Sequence, residues 1–297
     1  MGVAIIDIVN HLKPQEHYLG NANAIVDRVV PLSGQTLLDT QITWASLSNT
    51  EKIASIHQGT VICAKLPDTI SSKVNYLVCT NPRSAFQSLL SKFFAKEKPV
   101  GVHATAQIHS TVILGERVYL GAFVVIGPGC TIGNDCIILD NTVLVENCTI
   151  GNSVFIGANT TIGGVGFGYE RQSDGSFLLI EHLGGVRICD NVDIGNNSCI
   201  DRGVLADTII GEGTKIDNLV HIAHNVVVGK HCAVIAHAIV GGSTIIGDRA
   251  WLAPNCTVKN GLVVGDDALI GLGAVITKNI PNEEVWVGNP GKKLEKK

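Results

Sequence analysis

A six-residue beat limits what this chain can fold into more than any other feature. Aliphatic residues stand without a gap from Ile210, Ile216, Ile222 and Val228 onward to Val264, Ile270 and Ile276. An earlier run extends from Val102 and Ile108 to Ile156 and Ile162, and a short one returns at Ile188, Ile194 and Ile200. A period of six fits neither a helix at 3.6 nor an extended strand at two. It fits a parallel β-helix in which three hexads make one triangular coil and each aliphatic points into the prism. The expected fold class is mainly β, a parallel β-helix of hexapeptide repeats preceded by a small N-terminal α/β domain. The period carries no information on handedness.

Composition agrees with a repetitive β architecture. Of 297 residues 33 are Gly, 16% are charged and 5% aromatic, which suits a solenoid better than a helical core. A net charge of -4 provides no basic field, so nucleic acid is excluded as an expected partner. The opening Met1-Gly2-Val3-Ala4-Ile5-Ile6-Asp7 lacks a basic leader and no long apolar run follows. The expectation is a cytoplasmic protein without a membrane segment. Cys130, Cys136, Cys148, Cys232 and Cys256 each fall two residues before a beat aliphatic, where Val or Thr stands elsewhere. They read as reduced small packing residues, not metal ligands, since C-x-x-C pairs are absent.

Residues 1–99 lack the beat and read as a domain of their own. Ile5 to Leu12 has helical spacing, Val61 to Ala64 and Tyr76 to Cys79 read as buried strands, and Asn81-Pro82 opens a helix. Trp44 is read either as core or as a platform that stacks on a base. Residues 100–278 form the repeat domain, with a loop insertion at 163–187, and 279–297 form a C-terminal tail whose basic end reads as solvated. Ile200 to Ile210 is ten residues, so Asp201-Arg202-Gly203-Val204 is expected to bulge outward. Loops leaving a rigid rod are where chemistry is expected.

His221, His224, His231 and His237 all fall at outward positions. His224 departs from the repeat, because Ile222 is followed by Ala223 and His224 where most beats carry Gly. Asn225 next to it tolerates tight backbone geometry. A neutral imidazole there can take a proton from a nucleophile attacking a thioester, an effect of roughly 10²–10⁴-fold. Its ionisation is expected near the ordinary histidine value of about 6.5.

The turn Ile222-Ala223-His224-Asn225 on a hexapeptide prism resembles the left-handed β-helix acyltransferases. Gly163 to Tyr169, Ile200-Asp201-Arg202-Gly203, Asp207 to Gly211 and Ile216-Asp217-Asn218 narrow the resemblance. They are similar to the N-acyltransferases of lipid A biosynthesis, which acylate the 2-amino group of UDP-3-O-(3-hydroxyacyl)glucosamine. Pro31-Leu32-Ser33 and Ile42-Thr43-Trp44 carry the likeness into the first domain. The resemblance implies the left hand, a homotrimer with sites between neighbouring prisms, and a nucleotide-linked amino sugar as acceptor. It implies no bound cofactor or metal and a thioester of acyl carrier protein or CoA as cosubstrate. It places His224 as base with Asp217 as its acidic partner. Trp44, Phe167, Tyr169, Asn218 and Asn225 fall at substrate-binding positions, and Asn289 and Lys292 at acyl-donor positions.

The chain departs from that family at Thr50, at Glu146-Asn147 and at Leu262. Val285-Trp286-Val287-Gly288-Asn289-Pro290 resembles instead the ending of CoA-dependent sugar acetyltransferases. An acetyl-CoA-dependent N-acetyltransferase for a surface-polysaccharide sugar is therefore the alternative. A trimeric metal-dependent carbonic anhydrase is a remoter one, because none of the four histidines repeats at eighteen residues. A non-catalytic scaffold is a further alternative.

Overall fold

The computed structural model describes residues 2–32 and 37–294. Ser33 of the family-like Pro31-Leu32-Ser33 and the last residues of the basic tail, 295–297, lie outside them. The chain divides into two compact units, Met1–Lys98 and Pro99–Lys297.

In the first unit a five-stranded sheet runs in the order Glu16–Leu19, Val74–Val78, Gly59–Cys63, Gln41–Trp44, Arg28–Val29. All neighbouring pairs are parallel except the first, which is antiparallel. The two central strands are buried along their whole length, as parallel strands covered on both faces are. Side chains alternate: Ile62 and Leu77 join Ile5, Ile8 and Leu89 on one side, while Val61, Cys63, Tyr76 and Val78 form the core of the other. The helices Ile5–Leu12 and Pro82–Leu89 pack on the first of these sides. The second helix begins where Asn81 accepts the Ser84 N–H at 3.1 Å, with proline in the first turn. It continues as a π-helical turn over Leu90–Phe94.

The second unit is the expected β-helix. Short strands at each beat stack with strands one coil away into three faces of 11, 9 and 8 strands, parallel except for the last strand of the first face. The first face begins at Gly101–Val102, the second at Gln107–Ile108 and the third at Ile113–Leu114. Beat aliphatics such as Ile156, Ile222 and Val258 are buried in one continuous core with Cys130, Cys148 and Cys232, and all nine cysteines are free thiols. At the first coil the beat residues Val102 and Ile108 remain exposed.

Three residues after most beats the backbone turns through the left-handed region, as at Asn159, Leu219, Asn225, His231 and His237. Asn, Asp, His and Gly take that conformation at least cost, which explains the polar filler of the hexads. Many of these edges are also laced along the rod. Asn134 accepts the Glu116 N–H at 2.7 Å, Asn152 that of Asn134 at 2.9 Å and Asp190 that of Asn152 at 2.7 Å.

One expectation requires correction. Asp201 closes the strand Cys199–Asp201, and Arg202 folds inward to 5% exposure; the segment does not bulge outward at its start. The tail adds Val285–Val287 in parallel to the first face and turns back as Lys292–Lys293 in antiparallel; both lysines lie exposed on that sheet edge, as the solvated reading expects. Among the described residues no helix is long and apolar enough to cross a membrane.

Candidate functional site

His224 follows the second-face strand His221–Ile222 at the edge leading to Val227–Val228 of the third face. The residue one coil on is Gly242. A β-carbon there would lie 2.8 Å from both Cε1 and Nε2 of His224. On the other side comes Gly166 of the insertion, whose β-carbon would lie 2.9 Å from His224 Cδ2 and 3.2 Å from Asp201 Oδ2. Two glycines thus leave the imidazole a slot that a β-carbon at either would crowd.

His182, near the exit of the insertion, stands edge-on to this ring with centroids 5.5 Å apart at 89°. It is 5% exposed; its Nδ1 lies 2.6 Å from the Ile180 carbonyl and its Nε2 has no partner among the described residues. A ring nitrogen that faces a carbonyl carries a hydrogen, so His182 Nδ1 donates to Ile180. Asn225 orients His224: its side-chain amide nitrogen lies 3.2 Å from His224 Nδ1, and its Oδ1 accepts the Val204 N–H at 2.6 Å.

Asp201 is the carboxylate of this cluster. It lies 3.6 Å from His221 Nε2, with the two side chains 13% and 44% exposed respectively. Burial holds its carboxyl above the usual range, against the opposing pull of His221, His224 and His182. Burial likewise pushes the His224 imidazole below its ordinary value, with His182 and His221 adding to the effect and Asp201 resisting it. The His224 ionisation, expected near the ordinary histidine value, is thus moved down.

The remaining predicted residues fall elsewhere. Asp217 sits at another edge, after the first-face strand Lys215–Ile216. Its carboxylate accepts the N–H groups of Asn218 at 2.7 Å and Ala236 at 3.2 Å. The acidic neighbour of His224 within the chain is therefore Asp201. Asn218 accepts the Asn196 N–H at 2.7 Å and belongs to the edge lacing. Phe167 and Tyr169 pack ring to ring on the insertion, centroids 4.9 Å apart and tilted by 56°, with Phe167 85% exposed. Trp44 ends its strand half-buried against Phe86, centroids 6.0 Å apart. Lys292 lines a cavity of about 250 Å³ with Lys278, Trp286 and Lys293, while Asn289 is exposed in the turn before it. Among the described residues no three His, Cys, Asp or Glu side chains converge in a way that could hold a metal ion.

Sequence reasoning missed His182, Gly166 and Gly242 as partners of His224. Gly242 carried a usable signal, since it lies one coil length after His224 and follows a second glycine.

The family profile described as the GMPPB C-terminal domain matches residues 96–166. A UDP-3-O-acylglucosamine N-acyltransferase of Caulobacter sp. (strain K31) is 42% identical over 139 residues, 47% of this chain and 41% of that protein. One of Methylobacterium nodulans is 46% identical over 131 residues, 44% of this chain and 37% of that protein. The chain thus spans about two fifths of the length of these curated relatives. Among solved structures, a UDP-N-acetylglucosamine acyltransferase of Bacteroides fragilis 9343 is 27% identical with a TM-score of 0.59, over 65% of this chain and 73% of that one. That of Francisella novicida is 23% identical with a TM-score of 0.60, over 65% and 70%. The rod is accordingly a left-handed parallel β-helix of the kind found in these hexapeptide-repeat acyltransferases.

Proposed function

We propose that this chain moves an acyl group from a thioester to the amino group of a nucleotide-linked amino sugar, with His224 as general base. The observation that carries the reading is an imidazole kept neutral in a fitted slot, in a chain whose relatives are named UDP-3-O-acylglucosamine N-acyltransferases. The amine attacks the thioester carbon, forming the C–N bond and a tetrahedral oxyanion with a proton still on nitrogen. His224 takes that proton. Collapse breaks the C–S bond, and the thiolate leaves with the proton from the imidazolium. The neutral ring has one lone pair, and while Asn225 donates to Nδ1 that pair is engaged; proton acceptance follows release of this contact.

Asp201 supports the imidazolium from within the chain. Asp217, at a different edge of the prism, joins the site in a homotrimer, where another copy's edge faces His224. Trp44 and the Phe167–Tyr169 pair contribute to binding the sugar nucleotide, and the reaction is cytoplasmic. The donor is an acyl chain on carrier protein. A second reading, an acetyl group on CoA, is favoured by the basic lining of the cavity at Lys278, Lys292 and Lys293, which suits CoA phosphates.

The test measures acyl transfer to UDP-linked 2-amino sugars from acetyl-CoA and from 3-hydroxyacyl carrier protein in competition. His224→Ala is expected to lower kcat by about two to four orders of magnitude with KM little changed. Retention of more than about a tenth of kcat, with loss in His221→Ala or His237→Ala, would assign the base elsewhere.

A further inference from the structure

A buried arginine joins the two ends of the insertion that flanks His224. We propose that Arg202 is a positioning residue for His224, acting through the inserted segment whose two ends it clasps. This rests on the reading of His224 as the base.

Arg202 directs its guanidinium into three stretches of chain. Nε donates to the Gly163 carbonyl at 3.1 Å, at the start of the insertion. One terminal nitrogen donates to the His182 carbonyl at 3.4 Å, near the exit. The same nitrogen pairs with the Glu146 carboxylate, and the other donates to the Glu146 carbonyl at 3.4 Å. Glu146 belongs to the edge after the beat residue Leu144, so the rod itself anchors the clasp. The Arg202 backbone N–H also donates to the Gly164 carbonyl at 2.9 Å. A planar fork can meet carbonyls on three segments at once, which a lysine ammonium on a flexible stem cannot reproduce.

The two ends so joined carry the groups that flank His224. Gly166 lies three residues after Gly163 and covers one side of the ring; His182 stands against its edge. Between those ends the insertion forms a hairpin, Tyr169–Arg171 paired with Phe177–Leu179, and its outer residues Phe167, Phe177 and Leu178 are exposed. Backbone bonds from Leu183 and Gly184 to Val204 and Gly203 hold the exit, and Arg202 is the side chain that ties entry and exit together, with its guanidinium out of water. The burial of a charge beside a half-exposed carboxylate is expensive unless its donors are used, and here two bonds go to the ends of the insertion and two to Glu146.

The experiment uses the full chain with Arg202→Lys and the milder Glu146→Gln. Hydrogen exchange is followed over residues 163–187, His224 is titrated by NMR, and kcat and KM are separated. The groups facing His224 are His182, Asp201, His221 and Asn225, all retained in both variants. Exchange in 163–187 should rise about tenfold or more while residues 102–162 stay protected. The His224 ionisation should move up toward its ordinary value as its cover loosens, and kcat should fall about 10- to 100-fold with KM nearly unchanged. Unchanged exchange, or loosened exchange with an unmoved His224 titration, overturns the proposal. If Arg202→Lys fails to fold, Glu146→Gln decides by the same readouts. Exchange and titration need no substrate, so absence of acyl transfer in the parent chain would count against the functional reading alone.

Discussion

Gly242→Ala isolates the slot from every other variable. Gly242 is not among the residues with positive φ, so alanine brings no backbone strain. The three atoms nearest its added β-carbon all belong to the His224 ring, at 2.8, 2.8 and 3.3 Å. Carbon contacts settle at about 3.5–4.0 Å, so the ring must retreat by about 1 Å. Because the ring is only part-buried it can do so, and the stability cost should sit at the low end of overpacking, about 1 kcal/mol or a Tm loss of roughly 2–4 °C. A base misplaced by 1 Å loses on the order of 10²-fold in rate, equivalent to about 2.7 kcal/mol of transition-state stabilisation. The assay is steady-state acyl transfer in a double-mutant cycle with His224→Ala. Gly242→Ala should cost about 10²-fold in the parent and nothing in the His224→Ala background, since the clash has no catalytic partner left. A Gly242→Ala enzyme within about twofold of parent kcat, or equal losses in both backgrounds, would refute the slot.

Because the His224 ionisation lies below the ordinary value, the rising limb of kcat/KM should inflect below about pH 6.5 and vanish in His224→Gln. For the same reason stability contributed by the neutral ring should be full above about 6.5 and fall as pH drops below it, by less in His224→Gln. Trp44→Ala should raise KM for the sugar nucleotide by an amount equivalent to roughly 1–3 kcal/mol of stacking, and lower Tm because it also leaves Phe86. An unchanged KM in a folded variant would return Trp44 to packing alone. Sedimentation equilibrium should give a trimer at micromolar concentration, and a monomer throughout would remove the role given to Asp217.

The rod was legible because its cause is local: each hexad must bury one aliphatic and turn one edge, so Ile222 or Val258 announces its own environment. His224 was legible as an interruption of that rule. What the sequence hid is what depends on the insertion's path. Arg202 reads as part of a solvent loop until the Gly163 and His182 carbonyls are brought around it. His182 lies 42 residues before His224 in sequence, outside any repeat, and nothing in Glu181-His182-Leu183 marks it as a neighbour. Asp217 and Asp201 both follow a beat isoleucine, and the period alone does not say which edge each carboxylate serves.

The edge lacing makes the rod keep phase. Undisturbed coils pair residues 18 apart, whereas Asn152 reaches Asp190 across 38 positions and Asn196 reaches Asn218 across 22. Both detours depart from the second face and re-enter on the third, the next in order, so the three-face cycle is kept. Inserted length is therefore free to vary, while the count within a coil is not. Removal of one hexad between the insertion and His224, for instance 189–194, would leave every aliphatic still pointing inward and the core intact. All chemistry downstream would be turned by roughly 120° about the axis relative to what precedes it. Such a variant would fold and yet bring another edge, not His224, beneath the insertion. Loss of a whole coil would shorten the rod and preserve the alignment.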